Sequence, residues 1–420
     1  MPPTAAPVPF QGLAAGCAAL FGGADQLDRV TREMCDEFEV ESAFLVSSGK
    51  AALAVVLQAL HQLTGRRKVV IPAYTCYSVP SAVVKAGLEV VPCDVEPKTL
   101  DFNFDQLGQV VDGNTLCVLA THLFGAPADV DRIRSICRNR DTVLVEDAAQ
   151  AMGGVTNGRA LGTIGDVGFF SLGRGKNLSA GGGGIIVTRS REIGVAIKEE
   201  WDRLGQESFG GAVKNLAEMA ATSVLINPGL YWLPAGLPFL GLGETRFYRD
   251  FPILKMGEAR AATLKNWKGR LTSANAVRGE QARAYLEELR AYSPHVAAVS
   301  SPGAVYLRLP ILVRDRAMKR EILQRATALG LGMSQAYPGT IRQVPELEGA
   351  LPPGDAPGSR EVVDRLLTLP THRFVTSAHR RAVCRLLEDV AVGGSATPVQ
   401  QAVDRTVSSG RRAVSNPKCW

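Results

Sequence analysis

One lysine, Lys176, stands inside a glycine-rich stretch running from Gly165 to Thr188, between the apolar runs 167–171 and 185–188. Strand-forming residues on both sides hold the tip, and glycine lets the backbone crowd against a bound group. A lysine in such a turn is ordinarily solvated, so its chemistry depends on what else reaches it. Two other stretches and one more residue of this one supply candidates. Ser47-Ser48-Gly49-Lys50 lies between a short apolar run and an amphipathic pattern, leaving free N–H groups at a helix start that can hold a phosphate or be capped by serine. Asp147 follows Thr142-Val-Leu-Val-Glu146 and opens Asp-Ala-Ala-Gln150-Ala, where small neighbours leave room for a ligand. Strand alternation sends Glu146 and Asp147 to opposite sides, so only one can face a given pocket. Ser171 completes the set, five residues before the lysine.

The elements that must position these groups follow an alternating rhythm. Strands are expected at 43–47, 68–71, 89–95, 115–121 and 142–146, with helices at 51–62, 78–86, 104–111 and 128–138 between them. Several strands are uniformly apolar, which argues for a mostly parallel sheet covered on both faces. In such sheets ligands sit beyond the carboxyl ends of the strands, where the 47–50 turn, the 72–78 turn and Asp147 all fall. Residues 1–24 read as an arm, irregular to about residue 14, and 25–255 as a large domain with an apolar insertion at 206–255. A long helix at 257–290 leads into a smaller α+β domain ending near 390, and 391–420 read as a tail without fixed structure.

With 420 residues, 46% hydrophobic and 21% charged, the chain has material for a large core and two lobes. A net charge of +6 suits an anionic small molecule and lacks the clustering of a nucleic-acid binder. Eight scattered cysteines without a CxxC pair read as reduced, cytoplasmic thiols, and five histidines show no metal-ligand spacing. No basic leader precedes an apolar run at the N-terminus. Segment 222–242 is apolar enough to touch a membrane surface or a partner, but Pro228, Pro234 and Pro238 argue against a spanning helix. The Gly181–Gly184 run precedes a strand, so the dinucleotide-binding context is absent.

An anion-binding helix start, a buried carboxylate, a serine and a lysine, with no metal, are what pyridoxal 5′-phosphate chemistry needs. The ordered motifs Ser48-Gly49-Lys50-x-Ala52-Leu53, Pro72-Ala-Tyr-Thr75, Glu146-Asp147-Ala-Ala-Gln150-Ala and Ser171-x4-Lys176-Asn177-Leu178 resemble the DegT/StrS sugar aminotransferases of fold type I. The resemblance covers about residues 25–390. It implies a large domain on a mostly parallel seven-stranded sheet and a smaller C-terminal domain, in a homodimer. It also implies Lys176 as Schiff-base lysine and proton shuttle, Asp147 on the pyridinium nitrogen and Gln150 on the ring hydroxyl. Ser171 and the Gly49 and Lys50 amides would hold the phosphate, with Cys76 or Tyr77 where the family stacks an aromatic.

The implied reaction moves an amino group, with glutamate the expected donor, onto a keto-sugar nucleotide for polysaccharide, glycolipid or antibiotic synthesis. Several positions depart from the family pattern. Gly173 replaces a histidine and Gly182 a glutamate, so the tip is expected to be open, while Lys50 replaces a threonine. Ile253-Leu254-Lys255-Met256 replaces Asn-Tyr-Arg-Met, and Ala336-Tyr337-Pro338 replaces His-Tyr-Pro. These departures leave two alternatives: a non-nucleotide acceptor such as a cyclitol or amino-acid derivative, or a cofactor-binding regulator without turnover.

Overall fold

The structure is a computed structural model that describes residues 1–22, 25–138, 141–235, 245–290 and 295–391. The expected tail beyond 391 and part of the apolar insertion lie outside the described residues. An opening segment, 1–9, leads into α1 (Phe10–Ala19) and α2 (Gln26–Phe38). The alternating region then runs β1 (Ser42–Val46), α3 (Gly49–Thr64), β2 (Lys68–Pro72), α4 (Ser78–Lys85), β3 (Glu89–Cys93), α5 (Phe104–Val110), β4 (Thr115–Thr121), α6 (Val130–Arg138) and β5 (Val143–Asp147). A small hairpin, β6 (Val155–Thr156) and β7 (Arg159–Ala160), precedes β8 (Val167–Ser171) and β9 (Gly184–Thr188).

The main sheet has seven strands in the order β1-β9-β8-β5-β4-β2-β3. Its pairings are parallel from β3 through β8, and only β9 runs against its neighbours. This matches the expected mostly parallel sheet. One face packs Val30, Met34 and Phe38 of α2 with Leu107 and Ile133 of α5 and α6. The other face packs the apolar side of α3 with Val83 of α4 and Ile197 of α7 (Arg191–Asp202). Burial on both faces explains why β4 is apolar throughout rather than alternating. Side-chain caps set the helix starts: Ser48 accepts from the Ala51 N–H at 3.1 Å, and Asn103 accepts from the Gln106 N–H at 3.0 Å.

Among the described residues, two helices occupy the insertion, α8 (Phe209–Leu225) and the short α9 (Trp232–Ala235). No described helix is long and apolar enough to cross a membrane. Then come α10 (Glu258–Ala262) and α11 (Trp267–Leu289), followed by β10 (Val296–Ala298), β11 (Arg308–Val313), α12 (Arg316–Ala328), α13 (Pro357–Arg365), β12 (Leu366–Pro370) and α14 (Ser377–Ala391). The last three strands form an antiparallel sheet in the order β10-β11-β12 with its own core, including Ile311, Ile322, Leu369 and Leu387.

Three expectations about local structure need correction. The opening arm is helical from Phe10, because Gly12 and Gly16 let α1 lie against neighbouring elements. A Cβ on Gly12 would meet the Thr263 carbonyl oxygen at 2.8 Å, and one on Gly16 would meet Leu216 at 2.7 Å. The expected single helix over 257–290 is broken at Asn266, whose φ of 54° is left-handed. The strand expected from Ala304 starts only at Arg308, after Tyr306 at φ 31°.

Candidate active site

The carboxyl ends of β1, β2, β5 and β8 meet at one edge of the main sheet, and the expected residues collect there. Ser48 begins α3, and the next residue, Gly49, packs on the end of β8. A Cβ on Gly49 would meet the Ser171 Cβ at 2.8 Å and its Oγ at 3.0 Å. A side chain at position 49 would push the helix start away from the Ser171 hydroxyl. Ser171 Oγ accepts from the Gly173 N–H at 3.3 Å, which leaves its own hydrogen available. The Thr75 hydroxyl, beyond β2, is buried without a protein partner.

Asp147 ends β5 and is 7% exposed. Its Oδ1 accepts from the Ala149 N–H at 3.0 Å. Burial pushes the carboxyl upward, opposed by the Ala149 amide and by the charges of Lys176 and His122. Lys176 sits in a turn closed by its N–H on the Gly173 carbonyl at 3.2 Å. Its stem keeps some exposure, yet burial of the amine pulls its pKa down; Cys76 and Asp147 oppose this, and Arg308 adds to it. The lysine and the carboxylate therefore act on each other across the site.

Glu146, the other member of the pair, turns to the opposite side. It is fully buried, takes a 2.8 Å bond from His122 Nε2 and accepts from the Gly162, Ile164 and Gly165 amides. The Ala128 N–H donates to His122 Nδ1 at 3.1 Å, which leaves the proton on Nε2.

Gln150 is held at both ends of its amide: Oε1 accepts from the Phe124 N–H at 3.1 Å and Nε2 donates to the Tyr337 hydroxyl at 2.8 Å. Tyr337 packs against Tyr74 and Phe124, with ring centroids 5.4 and 6.3 Å away. Of the two residues offered for the stacking position, Cys76 is the one on the lysine's side, near enough to influence Lys176, Lys50 and Arg308. Tyr77 instead joins the core beneath α3 and α4. The Lys50 amine lies 4.6 Å from the Tyr248 ring centroid and 4.5 Å from that of Phe251. Burial lowers the pKa of that amine, with Cys76 opposing.

The expectation of an open tip at Gly182 does not hold. The Arg260 guanidinium fills the room, with Nη1 3.0 Å from where a Gly182 Cβ would stand. It donates to the Ser47 carbonyl at 3.1 Å and pairs with Glu207 at 2.6 Å. The segment Ile253–Met256 lies along β1, where Leu254 O accepts from the Ser47 N–H at 2.9 Å and Met256 N–H donates to Leu45 O at 3.2 Å.

Two residues carry no local motif and emerge only from the fold. Arg308, first in β11, reaches the same site from the smaller sheet. It donates to Ser334 Oγ at 3.3 Å, and burial lowers its pKa, opposed by Tyr337, Tyr74, Tyr231 and Cys76. No carboxylate pairs with it among the described residues. Tyr231, from the insertion, is raised by burial and opposed by Arg308. Their sequence separation hides both.

The donor set fits pyridoxal phosphate on these observations: an unpartnered threonine hydroxyl and a free serine hydrogen beside a helix start, a buried carboxylate, and a buried amine. The sequence profile of the DegT/DnrJ/EryC1/StrS aminotransferase family matches residues 20–221 and 245–388. The chain belongs to that family. Curated relatives include the GDP-perosamine synthase of Vibrio cholerae, 30% identical over 39% of this chain and 44% of that protein. Another is the dTDP-4-dehydro-2,3,6-trideoxy-D-glucose 4-aminotransferase of Saccharopolyspora spinosa, 33% identical over 36% of this chain and 40% of that protein. The chain thus aligns with less than half the length of these relatives. Among solved structures, the sugar aminotransferase CalS13 from Micromonospora echinospora matches with a TM-score of 0.74 at 21% identity, over 92% of this chain and 99% of that one. That likeness places the family chain in the same fold.

Proposed function

We propose that this chain is a pyridoxal-phosphate-dependent aminotransferase that moves an amino group from an amino-acid donor to a keto-sugar carried on a nucleotide. The observation that carries this reading is the buried Lys176 amine acting on the buried Asp147 carboxylate beside the Gly49–Ser171 contact. When bound, the cofactor supplies an electron-withdrawing ring and a carrier for the amino group. Ser171, Thr75 and the Gly49 and Lys50 amides would hold its phosphate, Gln150 would face its ring hydroxyl, and Cys76 would lie against the ring.

The chain's own groups then do the following. Burial favours the neutral form of the Lys176 amine, so Nζ is available as nucleophile and as carrier of a proton at the substrate carbon. Asp147 would hold a proton at its open side: burial raises its affinity for one, and the Ala149 N–H bond opposes that rise. The aromatic wall of Tyr74, Phe124 and Tyr337 excludes water. Arg308, charged and without an acidic partner among the described residues, receives the donor's carboxylate through its forked donors. Glutamate is the expected donor.

A second copy of the chain would cover the apolar outer face of α8, where Phe209, Val213 and Val224 are exposed, together with Trp232 of α9. Trp232→Glu is then expected to lower the mass seen by light scattering, and an unchanged mass would remove this part of the reading. For the reaction itself, cofactor-saturated protein mixed with glutamate should release one equivalent of 2-oxoglutarate per site. A panel of keto-sugar nucleotides should then sustain turnover. Release without turnover on any member of the panel would move the acceptor to a cyclitol or amino-acid derivative, and absence of release would overturn the aminotransferase reading.

A further inference from the structure

A cavity of about 620 Å³ lies between the opening segment 1–9, which straps across the surface, the first half of α11, residues 177–179 and the His372–Arg373 corner. Its size suits a small ligand, and Asp147, Gln150 and Ser171 do not line it. Three arginines line it, Arg270, Arg278 and Arg373, and no carboxylate does.

The charge there is uncompensated. Arg278 is 1% exposed and donates only to neutral groups: the Asn177 carbonyl at 3.1 Å, the Lys176 carbonyl at 3.2 Å, the Ala5 carbonyl at 3.5 Å and Asn275 Oδ1 at 3.3 Å. Its Nε has no partner. Arg270 likewise donates to two carbonyls, of Thr263 at 2.7 Å and Ser179 at 3.0 Å. Neither forms an ion pair among the described residues. Burial lowers each guanidinium to about 10, which still leaves both charged at neutral pH. Arg260 behaves differently: also buried, it carries its own carboxylate, Glu207, at 2.6 Å. A buried cation needs a counter-charge, and at Arg270 and Arg278 the chain does not provide one.

We propose that this cavity binds a phosphate-bearing anion at a site separate from that of the cofactor. Forked guanidinium donors match phosphate oxygens, and the Ser179 and Ser273 hydroxyls and the Asn266 amide add neutral donors at the wall. The site also touches the chemistry. Arg278 holds the carbonyl of Lys176 itself, and Thr4 of the strap packs on Gly175, which stands at φ +76°. The strap is tied at its far end by Met1 on the Gly330 carbonyl at 3.0 Å and by His372 Nε2 on the Pro2 carbonyl at 2.9 Å. An anion here would fasten the strap to the turn that carries Lys176. The phosphate could belong to the substrate's own diphosphate or to a free phosphorylated metabolite.

The test is calorimetric titration of cofactor-saturated protein with inorganic pyrophosphate, where the cofactor already fills the Ser171 position. One pyrophosphate per chain is expected to bind, and hydrogen exchange should slow in residues 1–9 and 174–179. Ala274→Asp, which puts a carboxylate on the cavity wall, should weaken binding at least tenfold, and Arg373→Gln should weaken it several-fold; neither should alter the visible spectrum of the bound cofactor. Competition by GDP together with a keto-sugar nucleotide would assign the site to the substrate's diphosphate. Undiminished pyrophosphate binding under saturating sugar nucleotide would assign it to a free metabolite. No saturable binding, or binding untouched by Ala274→Asp, would overturn the proposal. The titration reads this cavity whether or not the aminotransferase reading stands.

Discussion

On one side of β5 the Glu146 carboxylate is saturated, with His122 and three backbone amides as donors and no exposure. On the other side, one residue later, Asp147 has a single backbone donor and the field of a lysine. Burial raises the pKa of both groups, but at Glu146 the bonds from His122 and the amides outweigh it and hold the carboxyl low. The two carboxylates share a strand and a depth in the protein, and they differ in how many partners the fold supplies. Where partners are complete the group ties His122 and the 162–165 loop to the strand; where they are few it keeps an open side.

Substitution should separate the two sides. Glu146→Ala leaves the His122 N–H and three amides without an acceptor, and we expect a loss of about 3–5 kcal/mol in denaturant unfolding. Asp147→Asn should leave unfolding within about 1 kcal/mol of the parent, while steady-state aminotransfer falls roughly 10²–10³-fold, as for loss of a preorganised charge. Equal damage to stability from both substitutions would break the contrast.

The strap gives a pH-dependent version of the same distinction. His372 is 2% exposed, and burial lowers its pKa from 6.5 to about 4. The unfolded chain takes up a proton below pH 6.5 that the folded chain refuses until about pH 4. Stability should therefore fall as pH drops through that window, by about 3 kcal/mol in all, and stay level below it. His372→Asn should flatten the slope in urea titrations across those pH values, and an unchanged slope would assign the dependence to other groups.

The smallest effect is expected at Arg308, which reaches the open side from the other sheet. Arg308→Gln should raise KM for the amino donor about 10- to 100-fold, the scale of one charged hydrogen bond or two, with little change in KM for the keto-sugar. A rise confined to the keto-sugar would reassign the residue to the acceptor.

Much of this was legible before the structure. The largely apolar runs at 115–121 and 142–146 marked parallel strands, because burial on both faces removes the polar alternation. The turn at 47–50 and the sequence from Asp147 to Gln150 sit where strands end, so local pattern alone placed them at the ligand edge. The extent of α1 was hidden because glycine has low intrinsic helix propensity, and the close contacts that Gly12 and Gly16 permit exist only in the fold. Filling of the tip at Gly182 was hidden as well, since Arg260 arrives from 78 residues away, as does Arg308 from 132 residues beyond Lys176. Pattern within a window reports what a backbone segment does; convergence of distant side chains is a property of the whole fold.

The central claim is that burial makes Lys176 the residue that receives the cofactor. Purified protein should be titrated with pyridoxal phosphate, dialysed, and followed by visible absorbance, alongside Lys176→Ala. The parent is expected to keep its visible band through dialysis and the variant to lose it, with aminotransfer down by about 10⁴-fold or more and unfolding no weaker than the parent's. A visible band that survives dialysis in Lys176→Ala would contradict the account.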